Sequence, residues 1–152
     1  MAIALITGAT AGIGAQFARL LAKEGFDLIL VARNKNRLAS TAKSLNKEFG
    51  VKVEVLPADL TKPVQLEKVR KRLSDSRKPI EVLINNAGFG INQSFLVSDL
   101  SDEQGLLDVL VTAPMRLTHA VLPIMKERNS GTIVNVSSVA SWIAGGSYSA
   151  AK

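Results

Sequence analysis

An α/β fold, a doubly wound parallel sheet with helices on both faces, is predicted by three observations. Short apolar runs alternate with amphipathic helical stretches along the 152 residues. The first apolar run flows straight into a glycine-rich turn that opens a helix. No repeat, linker or low-complexity stretch interrupts the alternation, so a single domain over 1–152 is expected.

Each element has its own signal. Ile3-Ala4-Leu5-Ile6 reads as a buried strand. After the turn, Phe17, Ala18, Leu20, Leu21 and Ala22 mark the inner face of a helix ending near Gly25. Asp27 to Val31 reads as a second strand, and a basic helix follows over 35–49 with Leu38, Ala42 and Leu45 inward. Val51 to Leu56 alternates as a third strand. Thr61-Lys62-Pro63 opens a helix with an N-cap and a first-turn proline, and Leu66, Val69 and Leu73 form its stripe. Ile80 to Ile84 is a fourth strand. Ser101-x-x-Gln104 has the form of a capping box before a long helix to about Arg128, and 132–136 is a fifth strand. Right-handed crossovers give a strand order 3-2-1-4-5, with a ligand at the carboxyl ends.

Composition narrows the class. Hydrophobic residues make up 47% and charged residues 21%, as in ordinary globular domains. There is no cysteine, which removes disulfide and thiolate chemistry and fits a cytoplasmic location. No apolar run approaches the ~20 residues of a membrane helix, and the start lacks the form of a signal peptide. No membrane partner or metal site is expected. Much of the net charge of +6 lies in Lys68, Arg70, Lys71, Arg72, Arg77 and Lys78. Without aromatic residues among them, a solvated helix face is the better reading than nucleic-acid binding.

Two constellations carry chemistry. The first is the turn Thr7-Gly8-Ala9-Thr10-Ala11-Gly12-Ile13-Gly14, spaced Gly-x-x-x-Gly-x-Gly. Gly8 permits the tight turn, Gly12 lets backbone approach a pyrophosphate, and Gly14 lets the helix pack close to its strand. The helix N-terminus then offers N–H groups to phosphate. The second is Tyr148-x-x-x-Lys152, whose side chains share one helix face. A free phenol loses its proton near pH ~10, and a neighbouring cation moves that value toward neutrality. Such a phenol can exchange a proton with an alcohol or carbonyl oxygen. Alone, the pair is a common helix-face spacing; the glycine turn gives it weight.

Thr7-Gly8-x-x-x-Gly12-Ile13-Gly14, Asp59-Leu60, Asn85-Asn86-Ala87-Gly88, and Ser138 with Tyr148-x-x-x-Lys152 occur in this order along the chain. Together they resemble the short-chain dehydrogenase/reductase family. The resemblance implies a Rossmann-type, NAD(P)-dependent oxidoreductase. It implies catalytic roles for Ser138, Tyr148 and Lys152. Tyr148 would exchange the proton, Ser138 would hold the substrate oxygen, and Lys152 would support the tyrosine and donate to the nicotinamide ribose. Cofactor contacts are implied at Gly8, Thr10, Gly12, Ile13, Gly14, Arg33, Asp59, Asn86, Ala87 and Gly88, with Tyr148 and Lys152 shared. Asp59 would accept from the adenine amino group, or serve only as a loop or capping acid. The two asparagines would bond backbone across neighbouring strands, and Gly88 would admit the ribose.

The end of the second strand bears on cofactor choice. An acid there accepts from the adenosine ribose in many NAD enzymes. Here Ala32 is followed by Arg33, which suits the 2′-phosphate of NADP(H) better than NAD(H); the plain alternative is a surface cation beside Lys35 and Arg37. His119, in the long helix, reads as a packing or surface residue, and Trp142 either lines the substrate side or packs there.

Two departures from the family pattern stand out. Leu110 occupies the position of an asparagine that holds a relay water, and leucine has no polar atom to do so. Pro114, four residues on, brings no N–H to the Leu110 carbonyl and can kink the helix. The second departure is at Lys152, where family members continue. The expected consequences are a C-terminally incomplete fold with an unpaired fifth strand, a terminal carboxylate beside Lys152, and a 152-residue chain inactive by itself. The expected function is NADP(H)-dependent interconversion of a secondary alcohol and a carbonyl, with homo-oligomers in the full-length form. The alternative is a truncated or non-catalytic nucleotide-binding or interaction module. A methyltransferase on a similar sheet would need neither Tyr148 nor Lys152.

Overall fold

The computed structural model describes residues 2–152. Five parallel strands form one sheet in the order β3-β2-β1-β4-β5. They are β1 (Ile3–Thr7), β2 (Asp27–Ala32), β3 (Val53–Pro57), β4 (Val82–Asn85) and β5 (Thr132–Asn135). The helices are α1 (Gly12–Lys23), α2 (Lys35–Phe49), α3 (Pro63–Leu73), α4 (Leu100–Leu107), α5 (Ala113–Glu127) and α6 (Gly146–Ala151). The register aligns Thr7 with Val31, Ile6 with Ile84, and Asn85 with Asn135, so the carboxyl ends of the central strands finish side by side.

Strand alternation divides the core into two layers. Leu5, Ile29, Val31 and Leu83 face α3 and α5, meeting Leu66, Val69, Leu73, Leu117 and Val121. Ala4, Ile6, Leu28, Leu30 and Ile84 face α1 and α2, meeting Ala18, Ala22, Leu38 and Leu45. Both faces of the central strands are therefore covered, as a parallel sheet requires. β5 pairs only with β4 and forms one edge, as expected.

Several boundaries differ from the sequence reading. The Ser101–Gln104 capping box does not form. Asp99 is the N-cap of α4, and Gln104 donates forward to Asp108. Thr61 does not cap α3 either; Lys62 takes that position without a side-chain bond, and Thr61 turns back to Asp59. The long helix is broken by a π turn over Asp108–Thr112, where the Ala113 N–H reaches back to the Asp108 carbonyl. Pro114 follows at once and supplies no N–H to Val109 or Leu110 in either register. Counted together, Leu100–Glu127 is 28 residues, long enough and, over an 18-residue stretch at mean hydropathy 1.2, apolar enough to cross a membrane by length and composition. That corrects the expectation that no stretch qualifies. Its apolar stripe, Leu106, Val109, Ala113, Leu117 and Val121, is buried within the fold.

Glu81, just before β4, ties this strand to the turn leading into β5. It accepts from Arg128 Nη2 at 3.0 Å and from the Ser130 hydroxyl. The Ser130 bond, opposed by partial burial and aided by Arg128, holds the Glu81 carboxyl below its usual range. A depressed carboxylate stabilises the fold above the unfolded-state value and loses that contribution as pH falls through the folded one. Glu81→Gln should lower stability at pH 7 by no more than about 1 kcal/mol. The difference should close below roughly pH 4. Thermal melts of both proteins at the two pH values measure this, and an equal gap at both would refute the assignment.

Candidate active site

The glycine turn is held from beneath. Thr7 Oγ1, buried at the end of β1, donates to the Ile84 carbonyl and accepts from the N–H groups of Asn86 and Ala87, both at 3.0 Å. Asn86 Nδ2 returns the bond to the Thr7 carbonyl at 2.9 Å and approaches the Gly8 carbonyl at 3.3 Å. Gly8 turns with φ +68°, and its N–H donates to the Val31 carbonyl at 2.8 Å. A Cβ on Gly14 would lie 2.3 Å from the Gly8 carbonyl oxygen and 2.4 Å from Asn86 Nδ2. Gly14 is therefore the close-packing glycine that the sequence suggested, and it does not line the cleft above. Gly12 is the opposite case: φ is +54° and nothing stands within 4 Å of an added Cβ.

Above the turn runs a cleft of about 1090 Å³ along the carboxyl ends of the strands. Gly8, Thr10, Gly12, Ile13, Arg33, Asp59, Asn86, Ala87, Gly88, Ser138, Tyr148 and Lys152 all line it. Every site residue from the sequence except Gly14 thus converges on one wall or another of a single space.

Asp59 closes an Asx turn, its Oδ1 accepting from the Thr61 N–H at 3.0 Å and the Thr61 hydroxyl at 2.8 Å. Burial opposes ionisation, but the Thr61 bonds and the charges of Arg33 and Lys62 outweigh it and hold the carboxyl below its usual range. Asp59 thus serves as the loop acid of a local turn and also lines the cleft. Asn86 bonds backbone across the strands as expected. Asn85 departs from that expectation: its Nδ2 donates to the side chains of Thr118 and Asn135, and its buried Oδ1 finds no partner.

The side of the cleft with Ser138, Tyr148 and Lys152 is assembled from three segments. Ser138 follows β5 and accepts the Ala140 N–H at 3.2 Å, starting a 3₁₀ turn over Val139–Trp142. Tyr148 and Lys152 lie on α6, with Lys152 Nζ 5.9 Å from the centre of the Tyr148 ring. Lys152 Nζ donates to the Val136 carbonyl at 2.8 Å, and Ser137 Oγ donates to the Lys152 carbonyl at 2.6 Å. Ser137, the residue before Ser138, thus holds the backbone of the lysine. Among the described residues, the Tyr148 hydroxyl bonds neither Ser138 nor Lys152. Leu110 packs a methyl against Gly88, 2.7 Å from where a Cβ would stand there. The smallness of Gly88 accommodates Leu110 beneath the cleft. His119 and Trp142 are exposed, Trp142 by 90%.

The sequence reading missed Arg37 as a cleft residue. Asn34 caps α2 by accepting the Arg37 N–H at 3.0 Å, and the Arg37 guanidinium reaches the Thr10 carbonyl at 3.4 Å. The signal was available: the first turn of a helix after a strand end faces the same crevice as the glycine turn.

A glycine turn at a helix N-terminus, below a cleft at the carboxyl ends of a 3-2-1-4-5 sheet, defines a dinucleotide-binding fold of Rossmann type. The family model for short chain dehydrogenase matches residues 2–152. The chain belongs to the short-chain dehydrogenase/reductase family. It is 40% identical over 136 residues to the ketoacyl reductase HetN of Nostoc sp., covering 90% of this chain and 47% of that protein. The short-chain dehydrogenase from Sphingobium yanoikuyae, solved in complex with NADPH, is 41% identical with a TM-score of 0.96, over 100% of this chain and 60% of that one. The bulky-bulky ketone specific alcohol dehydrogenase from Comamonas testosteroni is 37% identical at 0.96, over 100% and 62%. The chain therefore spans about half to three-fifths of the length of these relatives.

The two glycines separate folding from binding. Gly14→Ala should cost roughly 3 kcal/mol or more, because the obstacle is backbone. Gly12→Val should cost only about 1–2 kcal/mol of backbone strain yet fill the space a pyrophosphate needs. Urea melts with parallel dinucleotide titrations test this. Dinucleotide binding by Gly12→Val as tight as the parent's would show that the turn is not the phosphate site.

Proposed function

We propose that this chain carries the cofactor-binding and proton-transfer residues of an NADP(H)-dependent oxidoreductase that interconverts a secondary alcohol and a carbonyl. The observation that carries the reading is the convergence of the glycine turn, Arg33, Asp59, Ser138, Tyr148 and Lys152 on one cleft. The donor set fits a dinucleotide. Gly12 leaves open space at the start of α1, where N–H groups are free for phosphate. Ala32 presents no acid at the end of β2. Arg33 and Arg37 put two guanidiniums on that side of the cleft, suited to an adenosine 2′-phosphate. Asp59 lies beyond them as an acceptor for an adenine amino group. A structural relative, the Sphingobium enzyme, was solved with NADPH, which supports the same choice.

When bound, the nicotinamide supplies or takes the hydride. The residues of this chain manage the proton. Tyr148 gives its phenolic proton to a carbonyl oxygen, or takes one from an alcohol. Ser138 donates to the same oxygen and fixes its direction. Lys152 holds positive charge beside the ring and is itself fixed by the Val136 carbonyl.

The second reading is a nucleotide-binding module without turnover. Leu110 favours it, since a methyl group stands where the family holds its relay asparagine. For the 152-residue chain taken alone we propose binding without turnover. Val139, Trp142 and Ile143 stand exposed beside Ser138, and nothing in the described residues closes the substrate side. Carbonyl-dependent NADPH oxidation by this chain, lost in Tyr148→Phe, would refute that.

Arg33→Ala should weaken NADPH binding by roughly 1.5–3 kcal/mol, the worth of charged hydrogen bonds, and barely change NADH binding. Calorimetric titration of both cofactors decides the matter; equal losses would sink the NADP assignment. In a form of the length its relatives have, Tyr148→Phe should abolish ketone reduction while cofactor affinity persists. Absence of reduction in the parent form would move weight to the binding module.

A further inference from the structure

The carboxyl end of β5 has little of its own to hold it. The strand is four residues long, pairs on one side only, and leaves its first and last residues exposed. Yet the two residues after it carry the ties of α6. The Val136 carbonyl accepts from Lys152 Nζ at 2.8 Å, and Ser137 Oγ donates to the Lys152 carbonyl at 2.6 Å. Where Lys152 stands in the cleft depends on where this strand end stands. Asn85, at the end of β4, is the residue that grips it. Asn85 is only 5% exposed and lies opposite Asn135 in the register. Its amide gives one N–H to Asn135 Oδ1 at 2.9 Å and the other to Thr118 Oγ1, on α5, at 3.2 Å. Its backbone carbonyl accepts from the Val136 N–H at 2.9 Å.

We propose that Asn85 is a positioning residue for Lys152: its amide bridges the end of β5 to α5 and so fixes Val136, whose carbonyl holds the ammonium in the cleft. The inference rests on reading Lys152 as part of the proton-transfer site. The bonds form an unbroken series. Thr118 and Asn135 hold the Asn85 side chain, the Asn85 carbonyl holds Val136, and the Val136 carbonyl holds Lys152. An amide has two donors fixed in one plane, so both acceptors must be in place together. The same residue leaves Oδ1 buried without a partner. An unmatched buried acceptor opposes folding, and an apolar residue of similar size would carry no such cost. Net stability is therefore a poor account of Asn85, whereas a network that ties two strands and a helix into one arrangement is a good one.

The test uses the isotope-labelled 152-residue protein and two magnetic-resonance readouts. The first is the scalar coupling across the hydrogen bond from Lys152 Nζ to the Val136 carbonyl carbon. The second is amide hydrogen exchange at Val136. The parent should show the coupling. In Asn85→Leu the coupling should vanish and exchange at Val136 should rise by about tenfold or more, while β1 and β2 keep their protection and the melting temperature stays near the parent's. Asn135→Ala should act the same way, and the double variant should add little to either single one. Asn135→Asp keeps an acceptor oxygen for the Asn85 amide and should keep the coupling. Absence of the coupling in the parent, its survival in Asn85→Leu, a loss of protection spread equally over β1 and β2, or an aspartate variant as loose as the alanine one would each overturn the proposal. Neither readout involves cofactor or turnover. A failed oxidoreductase assay would leave the placement of Lys152 measurable, and a coupling that survives in Asn85→Leu would leave the oxidoreductase reading intact.

Discussion

The interlock of Thr7 and Asn86 across β1 and β4 is the constraint on which the rest of the cleft depends. One hydroxyl serves three backbone groups at the end of β4, and one side-chain amide serves two carbonyls at the end of β1. Parallel neighbours normally end independently. Here their carboxyl ends are bonded into one unit. The amide of Asn86 can reach the Gly8 carbonyl because α1 begins so close, and α1 can begin so close because Gly14 has no Cβ. The free N–H groups at the start of α1 are thereby aimed along the cleft by bonds made beneath the turn.

The two sides of the cleft are built to different standards. The glycine-turn side rests on central strands whose residues are almost wholly buried on both faces. The side that carries Tyr148 hangs from the edge strand β5, a 3₁₀ turn and a six-residue helix, with Val139, Trp142 and Ile143 exposed among them. Protection against local opening follows buried contacts and falls toward edges and termini. The ties that cross between segments, Ser137 to Lys152 and Lys152 to Val136, therefore matter more for Tyr148 than helix propensity does.

Much of this arrangement was legible in the sequence, for a local reason. Strand periodicity, the glycine spacing and the order of the motif blocks are properties of short stretches, and the sheet order follows from right-handed crossovers. Gly8 and Gly14 were readable because each answers a backbone demand that only glycine meets. What stayed hidden depends on distant partners. Ser101 and Gln104 have the spacing of a capping box, but Asp99 caps the helix two residues earlier and Gln104 finds Asp108 instead. Arg37 reads as one cation among several until the fold sets it against Thr10.

Leu110 shows how a departure at one position can be absorbed by its surroundings. An asparagine there would need partners for its amide, whereas leucine needs only space. Gly88 supplies that space, since any side chain there would collide with the leucine methyl. The π turn over Asp108–Thr112 and the proline that follows still disturb the helical ladder at this point. Backbone irregularity thus persists where the polar side chain does not. Because Pro114 has no N–H, the widened register cannot be closed again at the next residue. The deviation in α5 is therefore written into the backbone chemistry of Pro114 and does not rely on a side-chain amide at position 110.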